Sequence, residues 1–156
     1  MSIGNNILLV DDHPMVATAI KMVLAKSTLV NEVQAVGSQK EALQFLKSNN
    51  VALAILDIEL EDSDGFSLYK RAVSSGFTGK VLFLSAKQDK HIIRTAAKLG
   101  AQGFVNKAES LEDISSAVEM ILRGYTFFPQ EHLIASEKDI DELLTERELA
   151  VMNYLL

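Results

Sequence analysis

Three aspartates stand directly after apolar runs. Asp11 and Asp12 close Ile7-Leu8-Leu9-Val10, and Asp57 closes Val51 to Leu56. Ser85 follows a fourth apolar run, and Lys107 follows a shorter one ending at Asn106. Acids, a hydroxyl and an amine at the ends of separate segments act together only if the fold gathers those ends. Carboxylates gathered in one place raise one another's pKa, and a cation offsets that cost. Mg²⁺ suits the set, because it takes hard oxygen ligands and is commonly held by one or two carboxylates plus a phosphate oxygen. A hydroxyl and an ammonium placed around such a pair would bind phosphoryl oxygens and offset their charge. The chemistry implied is acceptance of a phosphoryl group by Asp57 as an acyl phosphate. Each residue alone has a plainer reading: a turn at Asp57, a helix cap at Asp11-Asp12, a loop serine at Ser85, a solvated lysine at Lys107. Their common position at segment ends is what favours the joint reading.

The segments that must position these groups alternate between two periods. Asn6 to Val10, Val30 to Val36, Val51 to Leu56, Lys80 to Leu84 and Gln102 to Asn106 read as strands, and Val51 to Leu56 as one buried on both faces. A helix opens near Pro14, whose fixed φ suits a first turn, with Val16, Ala19, Ile20, Val23 and Leu24 on its apolar face. Ala42, Leu43, Phe45 and Leu46 mark a second helix, and Phe66, Leu68, Tyr69 and Val73 a third. A fourth covers about Asp89 to Leu99 and stops at Gly100. The fifth is capped by Ser110 and carries Leu111, Ile114, Ala117, Val118, Ile121 and Leu122 until Gly124. Repeated strand-helix units make an α/β fold with a parallel sheet covered on both faces. With strand order 2-1-3-4-5, the first and third strands are neighbours, and their acids meet where the order reverses.

A chain of 156 residues holds one well-cored domain and a short appendage. Cysteine is absent, which removes disulfides and thiolate sites and suits a reducing compartment. No apolar run is long enough to cross a bilayer, and Met1 to Asn6 lacks a signal-peptide pattern, so a cytoplasmic location is expected. The net charge of -6 argues against a large nucleic-acid footprint on this chain. Residues 125–143 read as a linker, aromatic at first and then polar and acidic. Residues 144–156 start a new helix, in which Thr145 and Glu148 form a capping box and Leu149, Met152 and Leu155 or Leu156 an apolar stripe. One such helix cannot form a core alone, so it is expected to begin a truncated second domain or to pack on the first.

"VDDHP" at 10–14, "LDIELEDSDGF" at 56–66, "LSA" at 84–86 and "GAQGFVNK" at 100–107 resemble the successive signatures of response-regulator receiver domains. The match runs from about residue 5 to 124. The "DDHP" start and "LTERELAVMNYLL" after the linker are similar to the NarL/FixJ branch, whose output is a LuxR-type helix-turn-helix that binds DNA. The resemblance implies a flavodoxin-like, doubly wound five-stranded receiver over 1–124 with a C-terminal helical extension. It also implies that 144–156 is the first helix of the output domain, without the helix that reads DNA. A sensor histidine kinase, or a small acyl phosphate, would phosphorylate Asp57, and the regulator would control transcription, as a homodimer on activation. Asp11, Asp12, Asp57 and the backbone carbonyl of Glu59 would hold Mg²⁺, while Ser85 and Lys107 would contact the phosphoryl group. Small Ala86 would leave the entrance open, and Phe104 would turn inward as Ser85 moves, unless it serves packing alone. Receivers of this branch associate through their first and fifth helices, where Val118 and Leu122 can serve core or interface.

Two positions depart from the family, Glu61 and Ala108 standing where proline is frequent: the first would loosen the loop after Asp57, and the second leaves the geometry of the Lys107 loop open. Glu59 and Lys87, each two residues beyond a site residue, are expected to pair across the pocket mouth and lengthen the life of the phosphate. His13, His91 and His132 show no ligand spacing and receive no role. Three rival functions stand beside this reading. An aspartyl-nucleophile phosphohydrolase would place its second acid two residues after the first, whereas residue 13 is His. A flavin or nucleotide carrier would need a glycine-rich loop after the first strand, and none follows it. A receiver working by protein contact without phosphorylation is compatible with every residue above.

Overall fold

A computed structural model describes residues 4–87 and 89–129. Its elements are β1 (Asn5–Val10), α1 (Pro14–Leu24), β2 (Val30–Val36), α2 (Gln39–Ser48), β3 (Leu53–Asp57), α3 (Gly65–Ser74), β4 (Lys80–Ser85), α4 (Lys90–Lys98), β5 (Gly103–Asn106) and α5 (Leu111–Leu122). All neighbouring strands run parallel, in the order β2-β1-β3-β4-β5. This is the α/β architecture and strand order expected from the sequence. The helix expected over 144–156, its capping box and His132 lie outside the described residues.

Side chains alternate across each strand, so one sheet feeds two cores. Ile7, Leu9, Leu53, Ile55, Leu82, Leu84 and Val105 face α1 and α5, where Ile20, Leu24, Ile114, Val118 and Ile121 cover them. Leu8, Val10, Ala54, Leu56, Phe83 and Phe104 face the other way, toward Ala42, Leu68, Ile93 and Ala96 of α2, α3 and α4. Phe83 lies at the middle of the second cluster, edge-on to Phe66 at 4.9 Å and to Tyr69 at 5.9 Å between ring centroids. Truncating such a ring to Ala costs about 3–5 kcal/mol.

Local chemistry sets the helix starts. Ser38, Asp64, Asp89 and Ser110 each accept a backbone N–H of the first turn, and Pro14 opens α1 where no N–H is needed. Gly100 and Gly124 close α4 and α5 with φ of 95° and 101°, a region that L side chains avoid. β3 starts at Leu53, later than the apolar run suggests, because Val51 packs against the second cluster ahead of the strand. The same strand runs through Asp57, so the acid is the last strand residue and fully buried.

The segment after Gly124, assigned by sequence to a linker, begins as part of the sheet. Phe127 donates its N–H to the Gln102 carbonyl and accepts from the Phe104 N–H, both at 2.9 Å, bridging the open edge of β5. Gly103 makes this possible, since a Cβ there would sit 2.8 Å from the Phe127 carbonyl oxygen. Phe127 and Phe128 add their side chains to the two clusters.

Candidate functional site

The register brings the expected residues to one rim. Val10 pairs with Leu56, Asp57 with Leu84 and Ser85 with Asn106, so the C-terminal ends of β1, β3, β4 and β5 stand side by side. Asp11 and Asp12 extend β1, while Lys107 is tied to β4 by its N–H on the Ser85 carbonyl at 2.8 Å. α3 comes in close behind Asp57. A Cβ on Gly65 would stand 2.6 Å from the Asp57 carbonyl oxygen, so this helix start requires glycine.

Lys107 Nζ donates to Asp57 Oδ2 at 2.7 Å and lies 3.0 Å from Asp11 Oδ2. Both aspartate side chains are fully buried and the lysine is 12% exposed. Burial pushes the Asp57 carboxyl up to about 6; the Lys107 hydrogen bond opposes this, and nearby Asp11 adds to it. Burial alone would lower the Lys107 pKa, but its bonds to Asp57 and Asp11 outweigh that and raise it. At neutral pH the pair is therefore a buried carboxylate facing a fixed ammonium. Asp57 Oδ1 accepts the Glu59 N–H at 3.0 Å, which fixes the carboxylate plane.

His13 is the residue that sequence reasoning left out. As the cap residue of α1 it sends Nδ1 to 2.9 Å from Asp11 Oδ1, 3.1 Å from Asp12 Oδ1 and 3.7 Å from Asp57 Oδ2. Lys107 Nζ lies 3.1 Å from the same nitrogen, which can donate to an aspartate or accept from the lysine according to its tautomer. Its signal was adjacency to the acid pair, which by itself equally describes an exposed helix cap. His91, on α4, stays exposed and outside the cluster.

One ligand atom from each of Asp11, Asp12, His13 and Asp57 falls within 4.8 Å of the others. Asp11 Oδ2 is buried and faces the cluster, with the Lys107 ammonium 3.0 Å away as its ion-pair partner. A set dominated by carboxylate oxygens fits a hard divalent cation such as Mg²⁺.

The other side of the pocket departs from expectation. Ser85 is fully buried, and its hydroxyl donates to Glu59 Oε2 at 2.6 Å rather than turning toward Asp57. Glu59 Oε1 accepts the Ala86 N–H at 3.1 Å, and Lys87 donates its backbone N–H to Ser85 Oγ at 3.0 Å. In place of the expected pairing with Lys87, both Glu59 oxygens bond to groups at the end of β4. Phe104 is fully buried beside Phe83, already turned inward.

The two departures from proline also take a different meaning. The Glu61 N–H donates to Asp12 Oδ2 at 2.8 Å, and the Ala108 N–H donates to Asn106 Oδ1 at 2.7 Å. Proline has no N–H to give. The loop after Asp57 is tied to the site instead of loosened, and the Lys107 loop is fixed to its strand end.

A family model described as the response regulator receiver domain matches residues 7–119. The Fimbriae Z protein of Salmonella typhimurium is 38% identical over 157 residues, an alignment covering 96% of this chain and 75% of that protein. The DNA-binding transcriptional activator EvgA of Escherichia coli is 28% identical over 97% of this chain and 76% of its own length. A two-component response regulator of the LuxR family from an Aurantimonas species superposes with a TM-score of 0.78 over 86% of this chain and 98% of that one, at 22% identity, a likeness of fold.

Proposed function

The chain belongs to the response regulator receiver family, and from that premise we propose that it is a phosphorylation switch in which Asp57 accepts a phosphoryl group from a sensor histidine kinase. The observation that carries this reading is the buried Asp57 carboxylate, held 2.7 Å from Lys107 at the edge of an acidic cluster. With its pKa near 6, Asp57 is ionised at neutral pH. An oxygen of Asp57 attacks phosphorus, the bond from phosphorus to the donor histidine nitrogen breaks, and the nitrogen keeps the electron pair. Lys107 stays in place as the ammonium that meets the charge gathered on the phosphoryl oxygens. Asp11, Asp12, Asp57 and the backbone carbonyl of Glu59 would hold Mg²⁺, which when bound supplies further neutralisation of those oxygens.

Ser85 then turns its hydroxyl to the phosphoryl group, and Phe104 follows the β4 end, carrying the change to the α4, β5 and α5 face. Glu59 bounds the water path to the phosphorus and sets the lifetime of the acyl phosphate, with Lys87 contributing through its backbone N–H on Ser85. Output follows the relatives: EvgA is by name a DNA-binding transcriptional activator, and this chain would control transcription through a LuxR-type domain of the full-length protein. Activation is proposed to form a homodimer through α1 and α5, in the cytoplasm. Among the described residues no helix is long and apolar enough to cross a membrane.

The test is intact-mass spectrometry after incubation with acetyl phosphate and Mg²⁺, beside an Asp57→Asn control. One phosphoryl adduct that requires Mg²⁺ and disappears in the control is the expected result. No adduct on folded protein overturns the proposal.

A further inference from the structure

We infer that the Glu59 carboxylate is an internal anion that occupies the phosphoryl-oxygen donors at the end of β4 and must release them before the phosphorylated state forms. This rests on Asp57 being the phosphoacceptor. Ser85 has one hydroxyl proton to donate, and Ala86 one backbone N–H. Both are committed to Glu59, at 2.6 Å and 3.1 Å, and Ser85 Oγ also accepts from Lys87. The donors at this strand end are therefore filled by a carboxylate, the side-chain group most like a phosphoryl oxygen pair in charge and shape. A bond of O–H to an ionised carboxylate at this length belongs to the strong, charge-assisted class.

The backbone placement makes the competition direct. Glu59 is two residues from Asp57, and its own N–H holds Asp57 Oδ1 at 3.0 Å. A phosphoryl group on Asp57 brings a second anion within reach of the same two donors. Like charges repel, and two anions cannot share one hydroxyl proton. Glu59 thus acts as a positioning residue. It holds Ser85 in an orientation that opposes phosphoryl binding, and displacing it is part of the switch.

Binding of beryllium trifluoride with Mg²⁺, followed by calorimetry and by ¹⁹F NMR on the full chain, tests the inference without requiring turnover. Glu59→Ala is expected to bind the fluoride complex about tenfold more tightly than wild type, because no charge-assisted bond has to be given up. Glu59→Gln, which keeps an acceptor but no charge, is expected to fall between the two. Glu61→Ala removes a nearby exposed negative charge without touching Ser85 or Ala86, and is expected to stay within about twofold of wild type. In a Ser85→Ala background the gain from Glu59→Ala is expected to shrink, a coupling that a purely structural role would not give. Equal or weaker binding by Glu59→Ala overturns the inference while leaving the phosphoacceptor reading intact. A gain in Glu61→Ala as large as in Glu59→Ala also overturns it, since a general field would then explain both. Failure of wild type and every variant to bind overturns the phosphoacceptor reading and this inference with it.

Discussion

The two sides of the pocket are prepared differently. On one side Asp11, Asp57 and Lys107 direct their charges at a common point, with a fully buried carboxylate bonded to a nearly buried ammonium. On the other, the Ser85 hydroxyl, the Ala86 N–H and the Glu59 carboxylate satisfy one another, and only the Glu59 backbone reaches Asp57. The first side is electrostatic preorganisation: its groups already stand where charge will arrive. The second is a closed set of hydrogen bonds that must be exchanged. Chemistry at Asp57 and the conformational response at Ser85 are thus separable by mutation.

The largest expected effects break the first side. Asp57→Asn should abolish the phosphoryl adduct altogether in the mass experiment. Lys107→Ala should slow phosphorylation by acetyl phosphate about a hundredfold, the usual result of removing one preorganised charge donor. It should also push Asp57 above its present value of about 6, because the hydrogen bond that opposes burial is gone. An NMR titration of the aspartate carboxyls would read that change.

A smaller effect concerns stability and has a definite sign. Asp57 titrates near 6 in the fold against an ordinary 3.8, so folding favours its protonated form. This contribution is fully present below about 3.8 and is lost as pH rises through about 6. The gap corresponds to about 3 kcal/mol. In metal-free protein, Asp57→Asn should therefore match wild type in thermal melts near pH 4 and melt higher above pH 6. A difference that shrinks with rising pH would contradict the electrostatic account of this side.

The smallest effects probe the second side. Glu59→Ala should alter phosphate decay without lowering the yield of adduct, whereas Lys87→Ala, whose backbone N–H survives the substitution, should change decay by less than about twofold. Equal changes in the two would restore the direct pairing that their geometry replaces.

Much of the prepared side was legible in the sequence. An acid at the end of an apolar run, repeated on strands one and three, places carboxylates at the crossing point as soon as the strand order is known. Lys107 and Ser85 follow by the same rule. The α/β fold was equally readable from the alternating periods, while the strand order came with the resemblance to receiver domains. What stayed hidden depends on side-chain direction. Glu59 sits at a position that could reach Lys87 or Ser85, and only the distances decide between them. His13 reads as a plain helix cap until β3 brings Asp57 beside it. The N–H groups of Glu61 and Ala108 gain meaning only when their acceptors are located.

Phe127 decides where this protein can be cut. Its two bonds to Gln102 and Phe104 cover the outer rim of the sheet, and a strand left bare there presents unpaired N–H and C=O groups to any other chain. A fragment ending at Gly124, the point where α5 stops, would carry that sticky rim into solution. Self-association of such a fragment would report on the exposed edge of β5, and a fragment for assembly studies should end beyond Phe128.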